Sequence, residues 1–342
     1  MTNLKSFFKG LGAITMKLLR IIPDGTTFKF MAFRRMSFPF SALLSIVAVL
    51  AFFVLSMNFG IDFKGGTVIE MRAKAGQVNI SEVRAIVDKM GFGDVEVQEF
   101  GGSSEFSMRF ALQPGGDGAQ QAVVKKVRET FAEKYEERRV EVVGPRVSAE
   151  LVQNGTIGVL FSLIAVLVYL WFRFEWQFAL GAVIATMHDL LLTIGFFAIT
   201  RIEFNMTSIA AVLTIVGYSL NDTVVVFDRI REMMRKYKKM PTEELLDLSI
   251  NTTLARTVMV SFTAALALVA LAIFGGTVIE SFSLAMLFGV VVGTYSSIFI
   301  AAPILIYLGL KPGEGRLQVA EENAGMKSAV VKSTGKAVSA KV

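Results

Sequence analysis

The sequence predicts a polytopic α-helical membrane protein, with six transmembrane helices and a small α+β domain between the first two. Of its 342 residues, 53% are hydrophobic and only 19% are charged. A soluble domain has about 25% charged residues and lacks long apolar runs. Six apolar stretches approach the ~20 residues that a bilayer requires, and a polar segment separates the first stretch from the second.

Residues 1–37 are predicted to form a basic amphipathic segment on the cytoplasmic surface of the membrane. Their apolar residues recur at helical spacing, and basic residues outnumber the one acid, Asp24. Such a helix lies in the membrane interface, and a basic flank before a span keeps the N-terminus in the cytoplasm. The next span, 38–58, is too long and begins too late for a cleaved signal peptide. We therefore expect it to be a permanent anchor.

Residues 59–150 have the composition of a soluble domain, which one crossing places outside the membrane, in the periplasm. Asn79 is typical of a helix N-cap because Glu82 follows three residues later. Asp117 is suited to cap a second helix. Strands are predicted at 67–73, 94–100, 105–112 and 139–143. The resulting β-α-β-β-α-β order is that of a ferredoxin-like domain.

Five further spans are predicted within residues 151–308. Their alternation puts the loop 228–252 inside, where its cluster of Arg and Lys agrees with the excess of basic residues in cytoplasmic loops. Both termini are then cytoplasmic. The tail, 309–342, is predicted to be disordered because it lacks an apolar period after Pro312. The spans are 151–172, 178–200, 207–227, 253–274 and 282–308.

Several classes of function are excluded by residues that the sequence lacks. There is no Cys and only one His, His188, so disulfides, thiolate sites and multi-histidine metal sites are excluded. No nucleotide-binding loop and no nucleic-acid motif are present. The sequence GYSLND lacks the Gly-x-Gly-Asp arrangement of intramembrane aspartyl proteases. We therefore expect no enzyme activity and no bound cofactor, with a transmembrane ion gradient as the energy source.

The most informative residue is Asp222, which lies with Asn221 and Thr223 inside the apolar span 207–227. A carboxylate at membrane depth costs at least a few kcal/mol and usually faces a bundle interior on an ion or proton path. The alternative is a buried Asp that holds helices together by hydrogen bonds. A neutral Asn would serve that alternative at a lower energetic cost, so we favour the proton path.

Two further polar sites lie inside or at the start of other spans. Arg256 starts the next span in the opposite direction, so it is predicted either to pair with Asp222 or to reach the headgroups as an interfacial anchor. His188 and Asp189 fall near the middle of span 178–200 and are predicted either to extend the proton path or to clamp helices together.

The last span contains a stripe of small residues at every fourth position. Such stripes allow close packing of membrane helices, and a packing seam is also a place where a helix can slide. The stripe consists of Ala285, Gly289, Gly293 and Ser297.

Several motifs resemble the SecD/SecF family of protein-export membrane proteins, and its SecF members in particular. FGIDFKGGT (59–67) and VGPRVSAELVQNG (143–155) flank the outer domain, and HD (188–189) lies in a span. VGYSLNDTVVVFDRIRE (216–232), NTTLARTVMVS (251–261) and FGVVVGTYSSIF (288–299) follow in the family's order. SecD has its Asp where Asn221 stands here, which favours SecF.

The resemblance implies half of a pseudosymmetric, RND-like bundle in the bacterial inner membrane, with SecD as its obligate partner. It implies that the SecDF complex uses the proton motive force to draw exported polypeptides outward. The implied partners are the SecYEG translocon with SecA, and also YidC and YajC. Asp222 falls on the family's proton-path aspartate and Arg256 on its arginine, whereas Val258 and Val260 depart from the family's usual Ile and Thr.

Three questions stay open on sequence alone. The coupling ion is a proton by resemblance, with Na+ as the alternative. The function has two rivals: an RND-type exporter of lipids or small molecules, which would require a larger outer domain to hold a tunnel, and a structural subunit without a motor role. Whether Arg256 contacts Asp222 is the third question.

Overall fold

The computed structural model describes residues 23, 25–93, 95–100 and 102–311. The predicted amphipathic helix before residue 23 and the predicted disordered tail from residue 312 onward lie outside the described residues. Within the described part, six helices are long and apolar enough to cross a membrane, and an α/β domain lies between the first and the second. The predicted fold class is therefore confirmed.

The first long helix, α1 (Arg34–Leu55), leads through a short helix, α2 (Ile61–Lys64), into the domain. The domain consists of β1 (Gly66–Ala73), α3 (Ile80–Asp88), β2 (Val95–Phe100), β3 (Glu105–Phe110), α4 (Asp117–Phe131) and β4 (Tyr135–Val143). The remaining long helices are α5 (Pro145–Arg173), α6 (Trp176–Thr200), α7 (Met206–Lys236), α8 (Thr242–Phe274) and a last helix. That last helix is made of α9 (Thr277–Ser296), a π-helical turn (Ser297–Ala301) and α10 (Ala302–Tyr307).

The long helices differ in how much of their apolar surface the bundle covers. The buried share of the apolar stretch is 56% in α6 and 61% in the last helix, but only 11% in α1, α5 and α8. The two covered helices therefore form the centre of the bundle. We call the end of the bundle that carries the α/β domain the domain side, and the other end the opposite side.

On the opposite side, α7 and α8 extend beyond the predicted spans. The sequence predicted a loop at 228–252, but α7 continues to Lys236 and α8 begins at Thr242, which leaves only residues 237–241 between them. Charged residues mark the level at which a helix leaves the membrane, but Arg, Lys and Glu are also good helix formers. They therefore do not mark the end of the helix.

The domain has the predicted ferredoxin-like topology. Its strands form one antiparallel sheet in the order β2-β3-β1-β4. Along β3, Phe106, Met108 and Phe110 are buried against α3 and α4, while the alternate residues point to the other face of the sheet. That second face is polar, and Arg109 on it faces the bundle.

The two predicted helix starts in the domain have different outcomes. The Asn79 side chain accepts a hydrogen bond from the Glu82 backbone N–H at 3.2 Å, which confirms the predicted cap. The second prediction is wrong, because α4 already begins at Asp117 and Gly116 is the capping residue. Gly116 has φ = 71°, a left-handed conformation that favours glycine over aspartate.

Backbone hydrogen bonds join the domain to the bundle. Gly60 N–H donates to the Phe204 carbonyl at 2.9 Å, and Phe204 N–H donates to the Asn58 carbonyl at 2.8 Å. On the short helix α2, the Asp62 carboxylate accepts from the Met206 backbone N–H at 2.8 Å. Since Met206 is the first residue of α7, the segment that leads into the domain also caps this helix.

The π-helical turn in the last helix lies just before Pro303. Proline has no backbone N–H, so the Phe299 carbonyl, four residues earlier, loses its α-helical donor. The Ser37 hydroxyl on α1 donates to this carbonyl at 3.1 Å. A side chain of α1 thus donates the hydrogen bond that the Phe299 carbonyl lacks within its own helix. Short π-helical turns of this kind are frequent at functional sites.

Gly66→Ala is expected to destabilise the domain by about 1–3 kcal/mol. Gly66 has φ = 133°, and an added Cβ would lie 2.4 Å from the Phe110 carbonyl oxygen. Pulse proteolysis of the full chain in detergent measures the loss. The control is Gly76→Ala, which also has a positive φ, 76°, but no atom within 4 Å of the added carbon. Equal effects of the two variants would contradict the steric explanation.

Candidate functional site

Asp222 lies on α7 where three helices meet. Its Oδ1 accepts a hydrogen bond from the Thr257 hydroxyl on α8 at 2.8 Å, and its Oδ2 accepts from the Ser297 hydroxyl in the π-helical turn at 2.5 Å. The residue is half-buried. A carboxylate removed from water in this way needs such donors, and here they come from two other helices. One side chain thereby joins three helices.

The immediate neighbours of Asp222 do not bind its carboxylate. Thr223 is buried and Asn221 is exposed. Among the described residues, the hydrogen bonds to this carboxylate come from Thr257 and Ser297. Asn221 and Thr223 therefore flank the site without taking part in its hydrogen bonds.

Arg256 lies beside the site but is not hydrogen-bonded to Asp222 within the described residues. It precedes Thr257 on α8, is exposed, and is near enough for its charge to act on the carboxylate. Its side chain lines a cavity of about 700 Å3 that opens on the opposite side, together with four other arginines and with Asp228 and Glu232. The structure thus places the Arg256 guanidinium near the Asp222 carboxylate, but the hydroxyl of the next residue, Thr257, makes the direct contact.

A second carboxylate, Asp189 on α6, is more deeply buried, with 1% of its surface exposed. Its Oδ2 accepts from the Ser219 hydroxyl at 2.5 Å and from the Ser296 hydroxyl at 2.6 Å. His188 Nδ1 lies 3.0 Å from its Oδ1. The other ring nitrogen, Nε2, is buried and has no hydrogen-bond partner in the described part of the chain.

The stripe of small residues brings the last helix against α7. A Cβ added to Gly289 would lie 2.4 Å from Ile215 Cγ1, and one added to Gly293 would lie 3.1 Å from Ser219 Cβ. Ala285, one turn before Gly289, is fully buried. This close approach allows the short side chains that follow, Ser296 and Ser297, to reach both carboxylates.

A series of polar contacts, made by hydroxyls and one backbone carbonyl, continues from Asp222 toward the domain side. Thr257 contacts the carboxylate, and the Ser261 hydroxyl, one turn further along α8, donates to the Thr257 carbonyl at 2.9 Å. Ser261 also lies 2.6 Å from the Thr294 hydroxyl and accepts from the Tyr218 hydroxyl at 3.1 Å. Tyr218 precedes Asp222 by four residues, which is the one sequence signal that it shares a helix face with the carboxylate.

On the domain side, a polar cavity of about 360 Å3 lies between the sheet and the ends of the helices. Arg109 on β3 forms an ion pair with Glu203, in the connection between α6 and α7, and approaches Asn58 at 3.3 Å and Glu96 at 3.3 Å. Burial raises the pKa of Glu203, and Asp62, Glu96 and Glu141 add to this, whereas Arg109 opposes it. No sequence pattern predicts this contact, because it joins a strand to a connection that is distant along the chain.

Comparisons with known proteins show which family the chain is similar to. The chain matches the family model "Protein export membrane protein SecD/SecF, C-terminal" over residues 122–311 and the model "SecD/SecF GG Motif" over residues 51–76. It is 44% identical over 294 residues to "Protein translocase subunit SecF" of Rickettsia rickettsii, a match that covers 84% of this chain and 94% of that relative.

Longer relatives also match. "Protein translocase subunit SecDF" of Brucella abortus is 42% identical over 301 residues, covering 88% of this chain and 40% of that relative. The crystal structure of SecDF from Thermus thermophilus, a translocon-associated membrane protein, is 34% identical, with a TM-score of 0.75 over 83% of this chain. The match covers 39% of that solved chain, so this chain spans about two fifths of these longer relatives.

Gly289→Ala is expected to destabilise the bundle by about 1–3 kcal/mol, because the added methyl group would overlap Ile215. Thermal denaturation in detergent measures the change. Adding Ile215→Ala should recover part of the loss by making room. Gly217→Ala on α7 is the control, since no atom lies within 4 Å of its added carbon. Failure of Ile215→Ala to rescue Gly289→Ala would contradict the proposed packing.

The contact between the domain and the bundle is expected to weaken as the pH rises. The pKa of Glu203 is raised above the usual 4.5, so its contribution to stability is complete below pH 4.5 and is lost as the pH rises through the raised value. Hydrogen-exchange protection of the Gly60 and Phe204 amides, corrected for intrinsic rates, measures this. In Glu203→Gln the pH dependence should disappear. Protection in the unaltered protein that does not change with pH would contradict the expectation.

Proposed function

We propose a mechanism from the premise that the chain belongs to the SecD/SecF family of protein export membrane proteins, in which it corresponds to the SecF subunit of the SecDF translocase accessory complex. In this mechanism, ion uptake and release at Asp222 change the packing of α7, α8 and the last helix. The domain moves with them and helps to draw an exported polypeptide outward. The coupling ion is a proton.

The observation that carries this proposal is the pair of hydroxyls, from two other helices, on the Asp222 carboxylate. An ionised carboxylate only accepts hydrogen bonds, whereas a protonated one also donates. A proton at this position therefore changes the contacts of three helices together. A unit charge that crosses 100 mV carries about 2.3 kcal/mol, which is enough to bias a bundle with two arrangements of similar energy.

Two features support a route for the proton. Tyr218, Ser261 and Thr294 continue the polar contacts from Thr257 toward the domain side. The cavity that Arg256 lines opens on the opposite side. We propose that protons enter from the periplasm on the domain side and leave to the cytoplasm past Arg256, with His188 and Asp189 as a second polar site beside this route.

Movement reaches the domain through the start of α7. Asp62 binds the first N–H of this helix at 2.8 Å, and the ion pair between Arg109 and Glu203 ties the sheet to the connection just before it. A shift of α7 along or about its axis would therefore be transmitted directly to the domain. We propose that this coupling lets the domain hold and release the emerging chain.

The partner proteins and the membrane location of the chain form a further part of the proposed function. A relative that joins both subunits in one chain implies association with SecD, and we propose an obligate pair that acts with SecYEG and SecA, and with YidC and YajC. We propose that both termini lie on the cytoplasmic side of the bacterial inner membrane. The apolar surfaces of α1, α5 and α8, with 11% of their apolar stretches buried, leave room for lipid and for the partner subunit.

One alternative coupling ion has direct support. The groups that converge on Asp222 are a carboxylate and two hydroxyls, and such hard oxygen donors suit an alkali cation as well as a proton. Na+ is therefore the second candidate. Export measured in vesicles at fixed pH, with and without a sodium gradient, separates the two ions.

Asp222→Asn is expected to abolish the part of export that depends on the ion gradient, while assembly with SecD stays normal. The loss removes a bias of up to about fiftyfold per 100 mV, since 2.3 kcal/mol corresponds to that factor. Translocation into inverted membrane vesicles, with and without an ionophore, measures the change.

Glu243→Gln is the control for this prediction. Glu243 lies at the start of α8, is exposed, and pairs with Arg34 at 2.6 Å. Its replacement should leave gradient-dependent export nearly intact. If Asp222→Asn retains full gradient-dependent export, the motor role is refuted and a structural subunit remains.

A further inference from the structure

Two consecutive serines in the last helix bind two different carboxylates. Ser296 donates to Asp189 Oδ2 on α6 at 2.6 Å, and Ser297 donates to Asp222 Oδ2 on α7 at 2.5 Å. Adjacent residues of a helix point about 100° apart, so two consecutive side chains of the last helix reach two different neighbouring helices. The buried Asp189 and the half-buried Asp222 are thereby linked through a single peptide unit.

Each of these serines also has a second acceptor within reach. Ser296 Oγ lies 3.1 Å from the Gly293 carbonyl, and Ser297 Oγ lies 3.1 Å from the Thr294 carbonyl. A hydroxyl has one proton to donate, so it cannot fully serve the carboxylate and the backbone carbonyl together. Each serine therefore has two hydrogen-bonding states.

The backbone at this point is already interrupted. The π-helical turn begins at Ser297, and the Ser37 hydroxyl holds the Phe299 carbonyl that Pro303 leaves without a donor. A change in the hydrogen bonds of Ser296 and Ser297 therefore acts where the helix is least regular. Such a segment adjusts its register at a lower cost than a continuous α-helix.

Other groups around the two carboxyls could also influence their protonation. His188 faces Asp189 from α6, Tyr218 and Arg256 lie near Asp222 on α7 and α8, and Tyr295 on the last helix lies near the His188 ring. None of the contacts of these four residues connects Asp189 to Asp222 as directly as the serine pair does.

We propose that Ser296 and Ser297 are positioning residues that couple Asp189 to Asp222. This inference rests on the proposed function in taking Asp222 as a group that gains and loses a proton. When Asp222 gains a proton, its new O–H donates to Ser297 Oγ, and the Ser297 O–H turns to the Thr294 carbonyl. The movement reaches Ser296 through the shared peptide and changes its bond to Asp189. No covalent bond other than the carboxyl O–H forms or breaks.

Infrared difference spectroscopy of the chain purified with SecD in lipid vesicles tests this coupling. Bands that change with pH are assigned to each acid by their loss in Asp222→Asn and in Asp189→Asn. We expect a band assigned to Asp189 to change in the pH range in which Asp222 titrates, whether Asp189 itself is ionised or protonated. In Ser297→Ala and in Ser296→Ala, the Asp189 band should fall at least about threefold while Asp222 still titrates.

Two variants make this experiment specific. Ser283→Ala is the matched control, because Ser283 is a buried serine on the same helix whose hydroxyl has no partner among the described residues; it should preserve the Asp189 band. Ser297→Thr keeps the hydroxyl and should restore the band. If Ser297→Ala fails to fold, Ser297→Cys, which keeps the volume but donates weakly, replaces it.

Two results would overturn the inference: no Asp189 band in the unaltered protein, or an undiminished band in both alanine variants. The export assay gives an independent result. Export that ignores the ion gradient, with the coupling band present, refutes the proposed function alone. Gradient-driven export without the band refutes the serine coupling alone.

Discussion

The bundle is organised around two carboxylates that must be hydrogen-bonded away from water. An unpaired ionised carboxylate in an apolar interior costs far more than a domain's net stability can absorb. Here the donors are short hydroxyl side chains on other helices: Thr257 and Ser297 for Asp222, and Ser219 and Ser296 for Asp189. Short donors reach only a few ångströms, so three helices have to approach closely at one level.

That approach explains features which otherwise look unrelated. Gly289 and Gly293 remove the side chains that would keep α9 away from α7. On the domain side, Asp62 binds the backbone N–H of Met206, the first residue of α7. Met206 lies 16 residues before Asp222, which corresponds to about 24 Å along a continuous helix. The height of the carboxylate in the bundle is thus tied to the position of the domain.

The six spans and the ferredoxin-like domain could be predicted from sequence, because each follows from local composition or spacing. The position of Asp222 inside an apolar span was also evident from the sequence. The partners of Asp222 could not be predicted. Sequence reasoning named Arg256 as a candidate partner, but the contact is made by its neighbour Thr257, since a rotation of about 100° separates adjacent helix positions. The hydrogen bond from Ser37 to the Phe299 carbonyl, which Pro303 leaves without an α-helical donor, could not be predicted either, because Ser37 lies on another helix.

The Asp222 carboxylate is hydrogen-bonded by hydroxyls and not by a cation, and this difference affects how the site can work. A guanidinium in direct contact would hold the carboxylate ionised by its charge, and the site would then keep one state. Hydroxyls donate to an ionised carboxylate and accept from a protonated one, so they stabilise both. With Arg256 near Asp222 but not bonded to it, no cation in direct contact fixes the carboxyl in its ionised state. A switch requires that balance, and a purely structural clamp does not.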